Sequence, residues 1–305
     1  GISGWLRLQF ASRSEELTVS TGFGFGILIY AMVILGVTDT YRSDVAWGLL
    51  SVLAILGFIS SRRALHLSDI RRLLPRLYQL PPTLLALLAV LCVYSSVYLI
   101  VALTPTLEGD SLAGYLLTAR EYARQGGLVS VDYAYTDTYP ANGQMISTFG
   151  FLLRGQILAQ LLLVWLMGIL SLATIYSIGR TWLSRRAALV AVVIWYGSSS
   201  VGYLASSGKI DLAWAAFEIL ALLAFARWYF APLGHADLRW LGTAGFFLGL
   251  SGGVKQASGF ATVILLTAIA LRLWRNRARP SGEWWRSYAV FCLPVALSGL
   301  WILRT

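Results

Sequence analysis

From Pro81 to Thr104 the chain runs 24 residues without a charged side chain. About 20 apolar residues suffice for a helix to cross the hydrocarbon core of a bilayer. Eight further apolar runs share this character, and the nine fall at residues 18–38, 45–61, 81–104, 155–178, 187–206, 210–228, 240–254, 256–272 and 287–303. Over 305 residues the chain is 57% hydrophobic and only 12% charged, against roughly 25% charge in a soluble domain. A water-soluble fold of this length has no interior that could hide so much apolar surface. The expected fold class is therefore an all-α polytopic membrane protein with about nine transmembrane helices. The first run is not a cleavable signal peptide, because a second span follows at once and no small-residue cleavage site is apparent. Cys92 and Cys292 cannot staple a disulfide framework; both lie in apolar runs and read as small buried hydrophobes.

The net charge of +10 raises nucleic acid as a partner, but its distribution argues against that. The arginines cluster in short patches between apolar runs, and cations beside spans set topology; no basic groove with interleaved aromatics is visible. With the N-terminus inside, Arg7, Arg13, Arg62, Arg63, Arg71, Arg72, Arg76, Arg180, Arg185, Arg186, Arg227, Arg239, Arg272, Arg275, Arg277, Arg279 and Arg286 all become cytoplasmic, 17 of the 24 cations. The outer side then holds Asp39, Asp44, Glu108, Asp110, Glu121, Asp132, Asp137 and Asp211. Both lysines of the chain, Lys209 and Lys255, join them there. The expected location is the bacterial cytoplasmic membrane, with the active face outside.

Most loops are short, and the exception is the outer loop 105–154; long loops in compact proteins tend to carry function. From 111 to 126 apolar residues recur at helical spacing, which predicts an amphipathic helix lying in the membrane interface. Residues 144–153 predict a second such helix, after the turn Pro140-Ala141-Asn142-Gly143. The seventh and eighth runs read as a helical hairpin turning at Ser251-Gly252-Gly253-Val254-Lys255. No internal repeat is present. The chain stops at Ile302-Leu303-Arg304-Thr305, directly after a span, and the expectation is that the polypeptide continues.

Asp110 admits two readings. It is an N-cap for the helix that follows, or a general base at the membrane surface. Tyr115 and Tyr139, with the other loop tyrosines, form an interfacial belt or a stacking surface for sugar. Lys209 and Lys255 snorkel at span ends, or, bordering glycine turns, bind an anion. Glu218, mid-span, is a protonated packing residue or a functional group. His66 and His235 are far apart, so no histidine metal site is expected. Acidic loop residues could hold a divalent cation, but no ligand spacing demands one, and the cofactor is unassigned. Walker, dinucleotide-binding, nucleophile-elbow and HExxH motifs are absent from the sequence.

The order of a span, an outer Gly-Asp, a helix, a Pro-Asn-Gly turn, a second helix and paired spans with outer Gly-Lys turns resembles the GT-C superfamily of membrane glycosyltransferases. The resemblance rests on GDSLAGYLLTAREYARQGGL (109–128), YPANGQMISTFGFLLRGQILAQL (139–161), GKIDLAWAAFEILALLAF (208–225) and GFFLGLSGGVKQASG (245–259). It is closest to the branch of protein O-mannosyltransferases and lipid A aminoarabinose transferases. It implies a seven-span module at 81–305, preceded at 1–80 by an N-terminal tail and an added two-helix hairpin, and a missing variable C-terminal part. It places Asp110 on the family's catalytic aspartate and Lys255 on a lysine found after the fifth core span. Two positions depart: Gly114-Tyr115 stands where relatives have Tyr-His, and Gln144 where they often carry a carboxylate.

The resemblance thus implies an inverting glycosyltransferase moving a sugar from a polyprenyl-phosphate carrier to a lipid, glycan or protein acceptor. Asp110 is the candidate base, and Lys209, Lys255 and Arg154 are candidates for the donor phosphate. Tyr115, Tyr139, Asn142, Gln144 and Asp211 are candidates for binding substrate. Membrane lipids and the polyprenyl-phosphate sugar are the expected partners. The alternative is a non-catalytic subunit of a larger membrane assembly, with other membrane subunits as partners. A transporter is a third reading, but it calls for paired mid-membrane charges and an inverted repeat, and the sequence offers only Glu218.

Overall fold

The computed structural model describes residues 8–61, 80–232, 237–275, 281–298 and 301. Among these residues all regular structure is helical. Arg7, the arginines at 62–76, His66, His235, Arg277, Arg279 and the stretch 302–305 lie outside the described residues.

Within the described residues each apolar run is largely helical, as expected where no water can satisfy the backbone. The helices are α1 (Arg13–Val37), α2 (Ser43–Ser61), α3 (Pro82–Ala102), α4 (Leu116–Gln125), α5 (Asn142–Arg154), α6 (Gln156–Trp182), α7 (Arg185–Tyr196), α8 (Ser199–Ser207), α9 (Asp211–Tyr229), α10 (Leu238–Gly252), α11 (Ser258–Arg275) and α12 (Ser281–Ser298). Five of them, α1, α3, α6, α9 and α11, are long and apolar enough to cross a membrane. A sixth span forms if α7 and α8, bent by 58° at their junction, count as one. The expectation of nine is thus only partly met. The apolar part of α2 is short, α10 has 15 residues, and Arg286 lies near the start of α12.

The core sits around α9. Ala213, Ala216, Phe217, Leu220, Ala221 and Ala224 are all fully buried, so small residues bring neighbouring helices close while Phe217 and Leu220 fill the gaps. Gly22 and Gly26 of α1 leave room for Phe247 and Phe246 of α10. Gly245 lies against the Phe291 carbonyl of α12, where a Cβ would meet that oxygen at 2.2 Å. Other faces are bare: Val52, Ile55, Phe58 and Ile59 on α2 and Phe260, Val263 and Ile264 on α11 are each more than half exposed, as befits helices whose outer solvent is lipid. Cys92 and Cys292 are exposed on such faces, which corrects their expected burial. A span facing lipid is apolar all round, so apolar neighbours in sequence do not distinguish protein core from bilayer.

The outer loop carries both expected helices. The first opens with a π-helical turn, Ser111–Tyr115, closed by the Leu116 N–H donating to the Ser111 carbonyl. It continues as α4 and stops at Gly126, whose φ of +86° suits glycine. The second, α5, departs from the picture of a helix resting on the interface: every residue from Asn142 to Gly150 is buried. It is enclosed because α4 and the start of α6 pack against it along with α1 and α2. Tyr41, between those two helices, donates to the Met32 carbonyl at 2.7 Å and reaches Met145 Sδ at 3.2 Å. The Tyr41 N–H donates to Gly126 and the Leu128 N–H to Gly36, so the loop is strapped to the first hairpin.

Candidate functional site

The site begins where α8 ends. Gly208 takes the left-handed conformation (φ +71°) at the α8 C-terminus, which leaves the last carbonyls of the helix without helical partners. The Ser207 carbonyl is taken by two hydroxyls from the outer loop, Thr106 Oγ1 at 2.9 Å and Ser111 Oγ at 2.5 Å. That double anchor lays residues 106–111 beside Lys209, about 100 positions away in sequence. Gln160 of α6 holds the loop from behind, donating to the Thr104 carbonyl and accepting from the Thr106 N–H.

Lys209 Nζ then meets two carboxylates, Asp110 Oδ2 at 2.6 Å and Glu108 Oε1 at 3.2 Å. It also lies 5.3 Å from the centre of the Tyr203 ring, within cation–π range. The capping alternative for Asp110 is now decided. Its carboxylate makes no cap hydrogen bond; Glu108 Oε2 accepts from the Ser111 N–H at 2.9 Å instead. Asp110 is therefore spare for other work. The Lys209 ammonium holds the Asp110 carboxyl below its ordinary range, first through their hydrogen bond and then through its charge. Burial pushes Glu108 up, but the Ser111 N–H and Lys209 together bring it below the usual value. Lys209, in return, is held above the ordinary lysine range, chiefly by Asp110.

The second lysine stands on the turn between α10 and α11. Lys255 Nζ pairs with Asp211 Oδ1 at 2.5 Å and lies 5.2 Å from the Trp214 ring centre. Trp214 Nε1 donates to Ser258 Oγ, Ser258 and Ser251 share a hydrogen bond, and Ser251 donates to the Trp214 carbonyl. This closed set of groups ties α9, α10 and α11 together beneath the lysine. Asn142 fixes the turn from the α5 side: its N–H donates to the Gly253 carbonyl at 2.9 Å and its Nδ2 to the Leu250 carbonyl at 3.0 Å. Its Oδ1 accepts from Trp301 Nε1. The contact requires glycine at 253, since a Cβ there would stand 2.1 Å from Asn142 Nδ2.

The two pairs belong to one neighbourhood. Asp211 is two residues on from Lys209, and Tyr115 lies in electrostatic range of Asp211, Asp110, Tyr139 and Lys209. Burial, then those two carboxylates, raise the Tyr115 hydroxyl above its usual range. Tyr135 bridges the aromatic side: its ring meets Tyr115 edge-on at 6.2 Å and Tyr139 at 6.0 Å, and its hydroxyl donates to the Asp110 carbonyl. Burial is also the first cause raising Tyr135. Tyr135 and Tyr139 are both more than two-fifths exposed, an open aromatic rim beside the carboxylates.

Other sequence candidates fare differently. Asn142 is buried with its amide spent on the Lys255 turn and Trp301. Gln144 is fully buried, and neither its Oε1 nor its Nε2 has a hydrogen-bond partner. Arg154 is exposed at the far end of α5, about 18 Å along the axis from Asn142 at 1.5 Å per residue. Glu218 lies one heptad below Asp211 on α9. Among the described residues no three His, Cys, Asp or Glu side chains gather as metal ligands. Sequence reasoning counted Glu108 only among the outer carboxylates and Tyr135 only among the loop tyrosines, and passed over Tyr203. The one legible signal was Glu108-Gly109-Asp110, two carboxylates astride a glycine.

The sequence profile of dolichyl-phosphate-mannose-protein mannosyltransferases matches residues 140–301, more than half of the chain. The chain belongs to this family. It is accordingly a GT-C protein, a membrane glycosyltransferase by family, whose class uses a sugar carried on a polyprenyl phosphate. No curated protein and no solved structure matches the chain. The mannosyltransferase match contains Lys209, Asp211, Lys255, Asn142, Gln144 and Arg154, and Asp110, Glu108, Tyr115, Tyr135 and Tyr139 precede it. The fold unites the two sets.

Proposed function

We propose that the chain is an inverting glycosyltransferase that moves a sugar from a polyprenyl-phosphate carrier to a lipid, glycan or protein acceptor. The observation that carries this reading is Asp110 on Lys209, a base-competent carboxylate in contact with a cation that a phosphate can approach. Asp110 takes the proton of an acceptor hydroxyl as that oxygen bonds to the anomeric carbon. The bond from that carbon to the phosphate oxygen breaks, and the phosphate departs with the electron pair. Lys209 and Lys255 offset the developing charge. Two unit charges about 4 Å apart interact by roughly 4 kcal/mol at an effective dielectric of about 20. Half of that, realised only in the transition state, is worth about thirtyfold in rate. The tyrosine rim of Tyr115, Tyr135 and Tyr139 seats the acceptor, and apolar helix faces hold the prenyl chain. The excess of arginine on one side supports an active face outside the cytoplasmic membrane and a cytoplasmic N-terminus.

The test is sugar transfer in membranes from a panel of polyprenyl-phosphate sugars, comparing the unaltered protein with Asp110→Asn at matched abundance. Loss of transfer in the variant alone supports the reading; equal transfer by both excludes Asp110 as base. One observation favours a second reading, a non-catalytic subunit of a membrane assembly: Gln144 is buried and unpaired at a position where relatives often carry a carboxylate. Absence of transfer by either protein across the panel selects that reading.

A further inference from the structure

The two carboxylates on Lys209 are not equivalent. The Glu108 side chain is 19% exposed and is fixed from three directions. Its Oε2 accepts from the Ser111 N–H, its Oε1 from the Tyr203 hydroxyl, and its own N–H donates to Thr106 Oγ1. Moving Glu108 would uncap the following helix and unseat the loop. The Asp110 side chain is 55% exposed and caps nothing. Its remaining neighbour is Tyr135, whose hydroxyl donates to the Asp110 carbonyl and adds a minor side-chain contribution that lowers the carboxyl, the last of its causes. A competing anion would therefore exchange with Asp110 before Glu108.

We propose that a donor phosphate, on reaching Lys209, displaces Asp110 from the ammonium while Glu108 holds the lysine in place, so that the base is released only once the donor is seated. This rests on the glycosyl-transfer reading above, and adds to it an order of binding and a positioning role for Glu108. The chemistry favours such an order. A carboxylate held below its ordinary range by an ammonium is a weak base, and general-base efficiency follows basicity. Exchange removes that restraint at the moment an acceptor hydroxyl is to be deprotonated, and with no donor present Asp110 stays neutralised. The charged and titratable groups facing Asp110 are Lys209 from the α8–α9 turn, Glu108 from its own loop, Tyr115 one turn on and Tyr135 from the next loop. Asp211 at the start of α9 lies beyond Tyr115.

The test measures binding of farnesyl methyl phosphate to the full chain in lipid nanodiscs. This phosphodiester keeps one negative charge throughout the carboxylate range of about pH 4 to 7. Binding that frees Asp110 raises its proton affinity, so in the unaltered protein affinity should fall as pH rises through that range. Asp110→Asn should bind about twofold to fivefold tighter near pH 7, the size of an exposed ion pair no longer competing, and should lose the pH dependence. Glu108→Gln, which keeps the acceptor for the Ser111 N–H, should retain that dependence. Lys209→Met should weaken binding at least tenfold, and Lys209→Arg should restore it; thermal melts confirm that each variant is folded. Asp110→Asn binding no tighter than the unaltered protein, or a pH dependence abolished by Glu108→Gln instead, overturns the exchange. Unchanged binding in Lys209→Met overturns the donor site itself, which separates failure of this inference from failure of the functional reading.

Discussion

Lys209 and Lys255 both follow glycine-containing turns at the ends of spans, and in sequence they look like two copies of one device. The structure builds them differently. The Lys209 turn owes its shape to a left-handed Gly208 and is held by hydroxyls of a remote loop, which deliver two carboxylates to one ammonium. The Lys255 turn has a right-handed Gly253, is held by the Asn142 amide, and meets a single carboxylate from the start of α9. A lysine with one fixed and one loose carboxylate can exchange a partner without losing its place. A lysine with one partner, braced over Trp214, is better suited to supplying steady positive potential.

The comparison breaks most readily at the carboxylates. Asp110→Asn should lower sugar transfer by about 10²- to 10⁴-fold, the usual contribution of a positioned base. Because Glu108 caps the helix, the variant loses only an exposed ion pair and should melt close to the unaltered protein. Asp211→Asn should cost far less in the same assay, and an equal loss would erase the distinction between the two turns. Next come the lysines: Lys209→Met should lower kcat/KM about thirtyfold, and Lys255→Met by a smaller factor. Steady-state kinetics with a saturating acceptor would reverse the ranking if Lys255 were the principal phosphate ligand.

The glycines sharpen the comparison through stability. Gly253→Ala drives a Cβ into the Asn142 amide and should cost about 1–3 kcal/mol, as overpacking does. Gly208→Ala meets no atom closer than 3.3 Å but must adopt a positive φ, at about 1–2 kcal/mol. Thermal unfolding in matched lipid would measure both.

The smallest effect concerns pH. The folded Asp110 is depressed by Lys209, so its pairing adds stability above the unfolded carboxylate value and loses it as pH falls through the lower folded value. In the kcat/KM profile, which reports the free enzyme, the acid limb should lie below the ordinary aspartate range. Lys209→Met should move that limb upward. A limb that stays in place would mean that the lysine does not control the base.

Much of this could be read without coordinates. Uncharged stretches such as 81–104 dictate helices because bilayers leave the backbone no other partner. Gly126 marked the end of the first loop helix for the reason seen in its φ. The Glu108–Asp110 division of labour was not legible, since either carboxylate can cap a helix from that loop and only the fold selects which. Nor was the enclosure of α5: its residues are apolar or small enough for interface and core alike, and the choice was made by α1, α2, α4 and α6 packing around it. Asn142 has the same history, for an amide near a turn suits a substrate as well as a backbone, and here the Leu250 carbonyl claimed it.

What the amino-acid order determined alone is which segments are apolar enough to leave water, where helices stop, and which side gathers lysines and carboxylates, because these follow from local composition and backbone sterics. The tertiary structure decided which charge meets which. Ion pairs across about 100 and 44 positions, Asp110 with Lys209 and Asp211 with Lys255, depend on carbonyl and hydroxyl contacts between elements, and such contacts leave no periodic trace in a sequence.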